Sequence, residues 1–147
     1  MLLHFEDFAP GQKLALDSRY RLTAEEIVDF ARQYDPQPHH LDDEAAKRTV
    51  LGGLAASGWQ VCAIARRLVI DGLLARTACA GGAEVEDCRW LKPVRPGDEL
   101  RVEIEVIATS LPKSRADIGF VKWRWDLLNQ RGRVAAILTT TMFERRS

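Results

Sequence analysis

Asp35 and His40 stand five positions apart in the segment Asp35-Pro36-Gln37-Pro38-His39-His40-Leu41-Asp42. Two prolines stiffen this stretch, and a stiff loop can aim two titratable side chains at one point, as the orienting of a single water requires. An imidazole with an unperturbed pKa of about 6.5 exchanges protons at neutral pH. The chemistry this pair suggests is general acid–base work on water. A plainer reading stands beside it: Asp-Pro opens turns, Asp35 can bond its own backbone, and one of two adjacent histidines can be an ordinary loop residue. Spacing alone leaves both readings open.

A second candidate is Ala56-Ser57-Gly58, just ahead of a strongly apolar stretch. Free N–H groups at a helix N-terminus stabilise a developing oxyanion, and a glycine there lets a carbonyl approach closely. The alternative is a tight turn leading into a packed helix. No Gly-Lys-Ser/Thr follows the nearby glycines, which excludes a P-loop, and Ser57 lacks the flanking glycines of a nucleophile elbow. Lys92, Arg95, Lys113 and Arg115 can meet the phosphates of a nucleotide-bearing substrate, although scattered surface charge reads the same way.

Elements that would hold these groups are visible in the patterning. Alternation over residues 13–22 predicts a first strand. Thr23-x-x-Glu26 is a capping box flanked by Leu22 and Ile27 as a hydrophobic staple, and Ile27, Phe30, Ala31 and Tyr34 form one apolar helical face. Pro36 ends that helix at Asp35. Prolines at 36 and 38 predict irregular backbone over 36–40, followed by a short helix over 42–48 with acids at its start and bases at its end. The next helix is expected over residues 59–71, closed by Gly72, with so little polar face that almost all of it should be buried. Strands are expected around Leu100, Val102, Ile104 and Val106, and around Val121, Trp123, Trp125 and Leu127. The Asn129-Gln130-Arg131-Gly132 loop then leads into a last strand over 134–143. Helices in one block and antiparallel strands in another describe an α+β fold, read here as one domain over 1–147.

Composition narrows the function classes. The 147 residues carry 21 Lys plus Arg and 21 Asp plus Glu, a formal charge of zero, so there is no electrostatic footprint for a nucleic acid or an anionic membrane. No apolar run approaches the ~18 residues of a membrane span, and the N-terminus does not read as a signal peptide. Three cysteines, Cys62, Cys79 and Cys88, none in a C-x-x-C pair, argue against a disulfide framework and a zinc site. Cys62 reads as core packing, and a reducing cytoplasm fits this cysteine usage.

These pieces together resemble the MaoC-like dehydratase family, the (R)-specific enoyl-CoA hydratases of the hot dog fold. The likeness begins at Phe8-Ala9-Pro10-Gly11-Gln12 and passes through the Asp35 segment and Gly52-Gly53-Leu54-Ala55-Ala56-Ser57-Gly58. It ends at Lys92-Pro93-Val94-Arg95-Pro96-Gly97-Asp98. Asp35, Pro38 and His40 match the family's Asp–Pro–His motif in order. The resemblance implies an antiparallel β-sheet wrapped round a long central helix, with subunits pairing as a homodimer or higher homo-oligomer. It implies that Asp35 and His40 activate the water added to a trans-2-enoyl-CoA thioester, that the Gly58 N–H polarises the thioester carbonyl, and that no metal or other cofactor takes part. Two positions depart from the family's common residues: Gln37 stands where many hydratases carry Asn, and Ser57 where many carry His. Two other functions remain open, a thioesterase on the same fold and a non-catalytic acyl-CoA binding module. The first usually needs an acid on the central helix, and none lies between Gly58 and Ile70.

Overall fold

The computed structural model describes residues 1–146. Two short strands, β1 (Lys13–Ala15) and β2 (Tyr20–Arg21), precede α1 (Ala24–Tyr34). Short helical turns α2 (Pro38–Leu41) and α3 (Asp43–Ala46) lead to α4 (Gly58–Gly72), and then β3 (Cys79–Trp90), β4 (Glu99–Ser110), β5 (Ile118–Asn129) and β6 (Gly132–Glu144) complete the chain. The strands form one antiparallel sheet in the order β1-β4-β5-β6-β3, with β2 also on β4. This is the α+β architecture expected, a sheet with a helix packed against it.

Alternation explains which face is covered. Val102, Ile104 and Val106 of β4 stand opposite Leu127, Trp125 and Trp123 of β5, and these in turn stand opposite Ala135, Ile137 and Thr139 of β6. All are buried, and Val61, Ile64, Ala65, Leu68 and Val69 of α4 complete the same core. Trp123 brings a polar atom into it and satisfies that atom by donating from Nε1 to Thr141 Oγ1 at 3.1 Å. The capping box forms as expected: Thr23 Oγ1 accepts from the Glu26 N–H at 3.1 Å and Glu26 Oε1 accepts from the Thr23 N–H at 3.2 Å. Leu22 and Ile27 are fully buried beside it.

Five expectations need correction. Residues 13–22 form two strands, because Ser18 turns aside to donate its hydroxyl to the Leu68 carbonyl of α4 at 2.8 Å. Gly72 is the last residue of α4 rather than a cap beyond it: a Cβ there would lie 2.7 Å from Ser18 Oγ, so glycine is required by the close approach of that same turn. Pro38 does not forbid regular structure but starts α2, since the first helical position needs no N–H. Tyr34 packs on Phe30 yet is exposed, at the end of α1. Within this chain α4 keeps an open stripe through Trp59, Ala63, Arg67 and Ile70, so it is buried on one side only.

Candidate active site

Asp35 caps the C-terminus of α1, where its N–H reaches the Ala31 carbonyl at 2.9 Å and its backbone leaves helical geometry ahead of Pro36. The following residues turn back at once. The Gln37 carbonyl receives the His40 N–H at 2.9 Å, and α2 carries His40 inward until it is buried. The two side chains meet there, with His40 Nε2 3.4 Å from Asp35 Oδ2.

Each partner is oriented from its other side. His40 Nδ1 lies 2.7 Å from the Ala55 carbonyl. A carbonyl only accepts, so Nδ1 bears a hydrogen, and a neutral ring then presents the lone pair of Nε2 to the carboxylate. Asp35 Oδ1 accepts from the Gln37 amide at 2.6 Å and Oδ2 from the Ser57 hydroxyl at 2.8 Å. The Gln37 hydrogen bond is the chief cause that holds the Asp35 carboxyl below its usual range. Partial burial opposes it, the Ser57 hydroxyl reinforces it, and an imidazole would add to the lowering only when protonated. Asp35 is therefore a carboxylate with acceptor capacity left, facing a base, across a gap longer than a good hydrogen bond. Such a pair can hold one water that sits to one side and touches both atoms.

Ser57 is the N-cap of α4, taking the Trp59 N–H at 3.3 Å while giving its own hydrogen to Asp35. Sequence reading places it with Gly58 as a candidate for oxyanion or substrate binding; the structure adds a direct bond to the carboxylate. The next residue, Gly58, opens the helix, and its N–H meets no acceptor among the described residues. The structure gives a further reason for glycine here. A Cβ there would lie 2.6 Å from Cε2 of Trp90, whose indole N–H donates to the Gly58 carbonyl at 2.9 Å. The missing side chain makes room for Trp90, a residue the sequence offers no periodic signal to single out.

The loop before Ser57 is fastened at many points. Ala55 N–H bonds the His39 carbonyl at 3.2 Å, Ala56 N–H the Val94 carbonyl at 2.9 Å, and Leu54 N–H the Asp43 carboxylate at 2.9 Å. Arg95 contributes most. Its guanidinium donates to the Gly53 carbonyl at 2.8 Å, to that of Leu54 at 3.3 Å and to that of Leu51. Arg95 thus serves this loop, with three backbone carbonyls accepting from its guanidinium. The four basic candidates are not gathered together. Lys92 and Arg95 precede β4, whereas Lys113 and Arg115 follow it in loop 111–117, with Arg115 paired to Asp117. A strand of this length separates its ends by roughly 35 Å.

Comparison with known proteins follows the same lines. A family model described as MaoC like domain matches residues 6–116. The chain is similar to a MaoC-like dehydratase of known structure from Rhodospirillum rubrum, with 42% identity, a TM-score of 0.89 and 99% of each chain covered. An uncharacterized protein, YdeM, of Bacillus subtilis is 31% identical over 129 residues, which span 88% of this chain and 89% of that protein. The R-hydratase PhaJ1 of Pseudomonas aeruginosa superposes with a TM-score of 0.75 over 99% of this chain and 88% of its own, at 24% identity, and so shares the fold.

Proposed function

The chain belongs to the MaoC-like dehydratase family and has its hot dog fold, and from that premise we propose that it hydrates the double bond of a trans-2-enoyl-CoA thioester or catalyses the reverse dehydration. The observation that carries this reading is the 3.4 Å approach of His40 Nε2 to Asp35 Oδ2, with both side chains oriented from behind. Water held beside the pair, in reach of both atoms, gives one proton to Nε2 while Asp35 holds its other hydrogen. The oxygen attacks C3 of the enoyl group, electrons move onto the thioester oxygen, and C2 takes the proton back from the imidazolium. The Gly58 N–H, free at the start of a 15-residue helix, supports the charge that develops on that oxygen. The product is a 3-hydroxyacyl thioester, and the groups invoked are a carboxylate, an imidazole and a backbone amide.

Residues 1–147 act as one domain in this proposal, and two copies pair along β3. Among the described residues the outer edge of this twelve-residue strand has no neighbour, and Val85 and Trp90 are exposed on it. A reducing cytoplasm suits the three free thiols. Neither nucleic acid nor membrane is a partner in this reading; the formal charge is zero, and no described helix is long and apolar enough to cross a bilayer.

The test is absorbance at the enoyl thioester band over a panel of enoyl-CoAs of rising chain length. Hydration of at least one member, lost in Asp35→Asn, supports the proposal. If no member is hydrated while acyl-CoA yields free thiol, the thioesterase reading replaces it; if neither reaction occurs but thioesters bind, the chain is a binding module.

A further inference from the structure

Cys62 and Cys88 lie 26 residues apart in the chain, yet their sulfurs face each other at 3.5 Å across the space between α4 and β3. Both are half-buried, and with Trp59, Arg66, Trp125 and Ile137 they line a groove of about 750 Å³. Within a single chain the groove is open to a small reagent at both sulfurs. The sequence reading of Cys62 as simple core packing misses this, because the partner thiol arrives through tertiary structure.

The position of the pair gives it consequence. Cys62 sits one helical turn beyond Gly58, and Cys88 two residues before Trp90. Trp90 already ties β3 to α4 through its bond to the Gly58 carbonyl. A bond between the sulfurs would join the same two elements a second time, next to the helix end offered to the thioester. A disulfide needs the sulfurs at about 2.0 Å, so each side chain has under an ångström to travel.

We propose that Cys62 and Cys88 form a reversible oxidation site, at which hydrogen peroxide converts the two thiols into an intramolecular disulfide that clamps α4 to β3. Cys88 Sγ attacks one peroxide oxygen, giving a sulfenic acid and one water. Cys62 Sγ then attacks the Cys88 sulfur, the S–O bond breaks, and the hydroxyl leaves with the Cys62 proton as a second water. Two thiols lose two electrons and two protons, and the peroxide is reduced. Burial, together with the neighbouring Cys88, pushes the Cys62 thiol up to about 12, which leaves the opening attack to Cys88. Cys79, at the other end of β3, takes no part.

The experiment treats the full chain and its Cys79→Ser variant with a small excess of hydrogen peroxide, followed by intact mass and non-reducing peptide mapping. Both are expected to lose about 2 Da per chain and to give one linked pair of peptides holding positions 62 and 88, with dithiothreitol reversing the change. The clamp is expected to raise Tm by several degrees in Cys79→Ser and to leave Cys88→Ser unmoved. Peptide maps with oxygen added at Cys88 alone, or with Cys79 linking two chains and no 62–88 pair, overturn the proposal. The wild-type map decides this by itself should a serine variant misfold.

Discussion

The buried hydroxyl of Ser57 donates to Asp35 Oδ2 at 2.8 Å, joining two residues 22 positions apart. With the Gln37 amide on the other oxygen, it fixes the plane of the carboxylate that faces His40. Both donors favour the ionised form of Asp35.

That relation sets a pH dependence. A carboxylate needed in its charged form supports activity above its pKa and loses it as pH falls through that value. Removing a donor raises the pKa, so the step of the kcat/KM profile that belongs to Asp35, separate from the one that His40 contributes as the base, should move to higher pH in both Gln37→Ala and Ser57→Ala. The shift should be larger for Gln37→Ala, since its bond is the chief cause of the lowering. Steps that all stay where they are in both variants would mean that Asp35 is not a titrating group.

Asp35→Asn and His40→Gln should each fold normally and lose on the order of a hundredfold or more in kcat, as the loss of a positioned acid–base group implies. Acting on one water, the two should not add, and the double variant should resemble either single one. His39→Gln should stay near the parent rate. The His39 carbonyl supports Ala55 and is kept in that variant.

Arg95→Ala separates loop support from phosphate binding. Loss of three carbonyl contacts should cost about 2 kcal/mol of stability, read as a lower Tm, and kcat should fall because the Ala55 carbonyl no longer holds His40 firmly. Arg95→Lys should rescue little, since an ammonium lacks the planar fork. An unchanged Tm with a raised KM for CoA thioesters would instead return Arg95 to the substrate.

Gly58→Ala should destabilise by ~1–3 kcal/mol, because the new methyl overlaps the Trp90 ring. Combining it with Trp90→Ala should recover part of that loss. Equal penalties in the presence and absence of Trp90 would show that the clash lies elsewhere.

Sedimentation at micromolar concentration should find at least a dimer, and Val85→Lys should weaken it by placing a charge on the exposed edge strand. A parent chain that stays monomeric would remove β3 as the pairing edge.

What the sequence makes legible is local or periodic. The Thr23–Glu26 box, the alternation along β4 and β5 and the Asp35–His40 spacing are each written in residues close together in the chain. Strand β3 escapes such reading: mostly exposed along its length, its Gly82-Ala83-Glu84-Val85-Glu86-Asp87 stretch has no buried face to write an alternation. Contacts between distant segments escape for a different reason. Ser57 with Asp35, Arg95 with loop 51–54, and Cys62 with Cys88 carry no fixed spacing, so only the folded chain reveals them. Gly58 shows the intermediate case, where the position is legible and the physical cause is not.

The four tryptophans fall into two optical populations. Trp123 and Trp125 are buried in the core, 6.0 Å apart, whereas Trp59 and Trp90 form an exposed edge-to-face pair 5.5 Å apart against the start of α4. The exposed pair should emit to the red and be quenched first by acrylamide or iodide. A thioester arriving at Gly58 would shield it and leave the buried pair unchanged. If the proposed function holds, the molecule would carry its own fluorescent reporter of occupancy, usable without label or turnover.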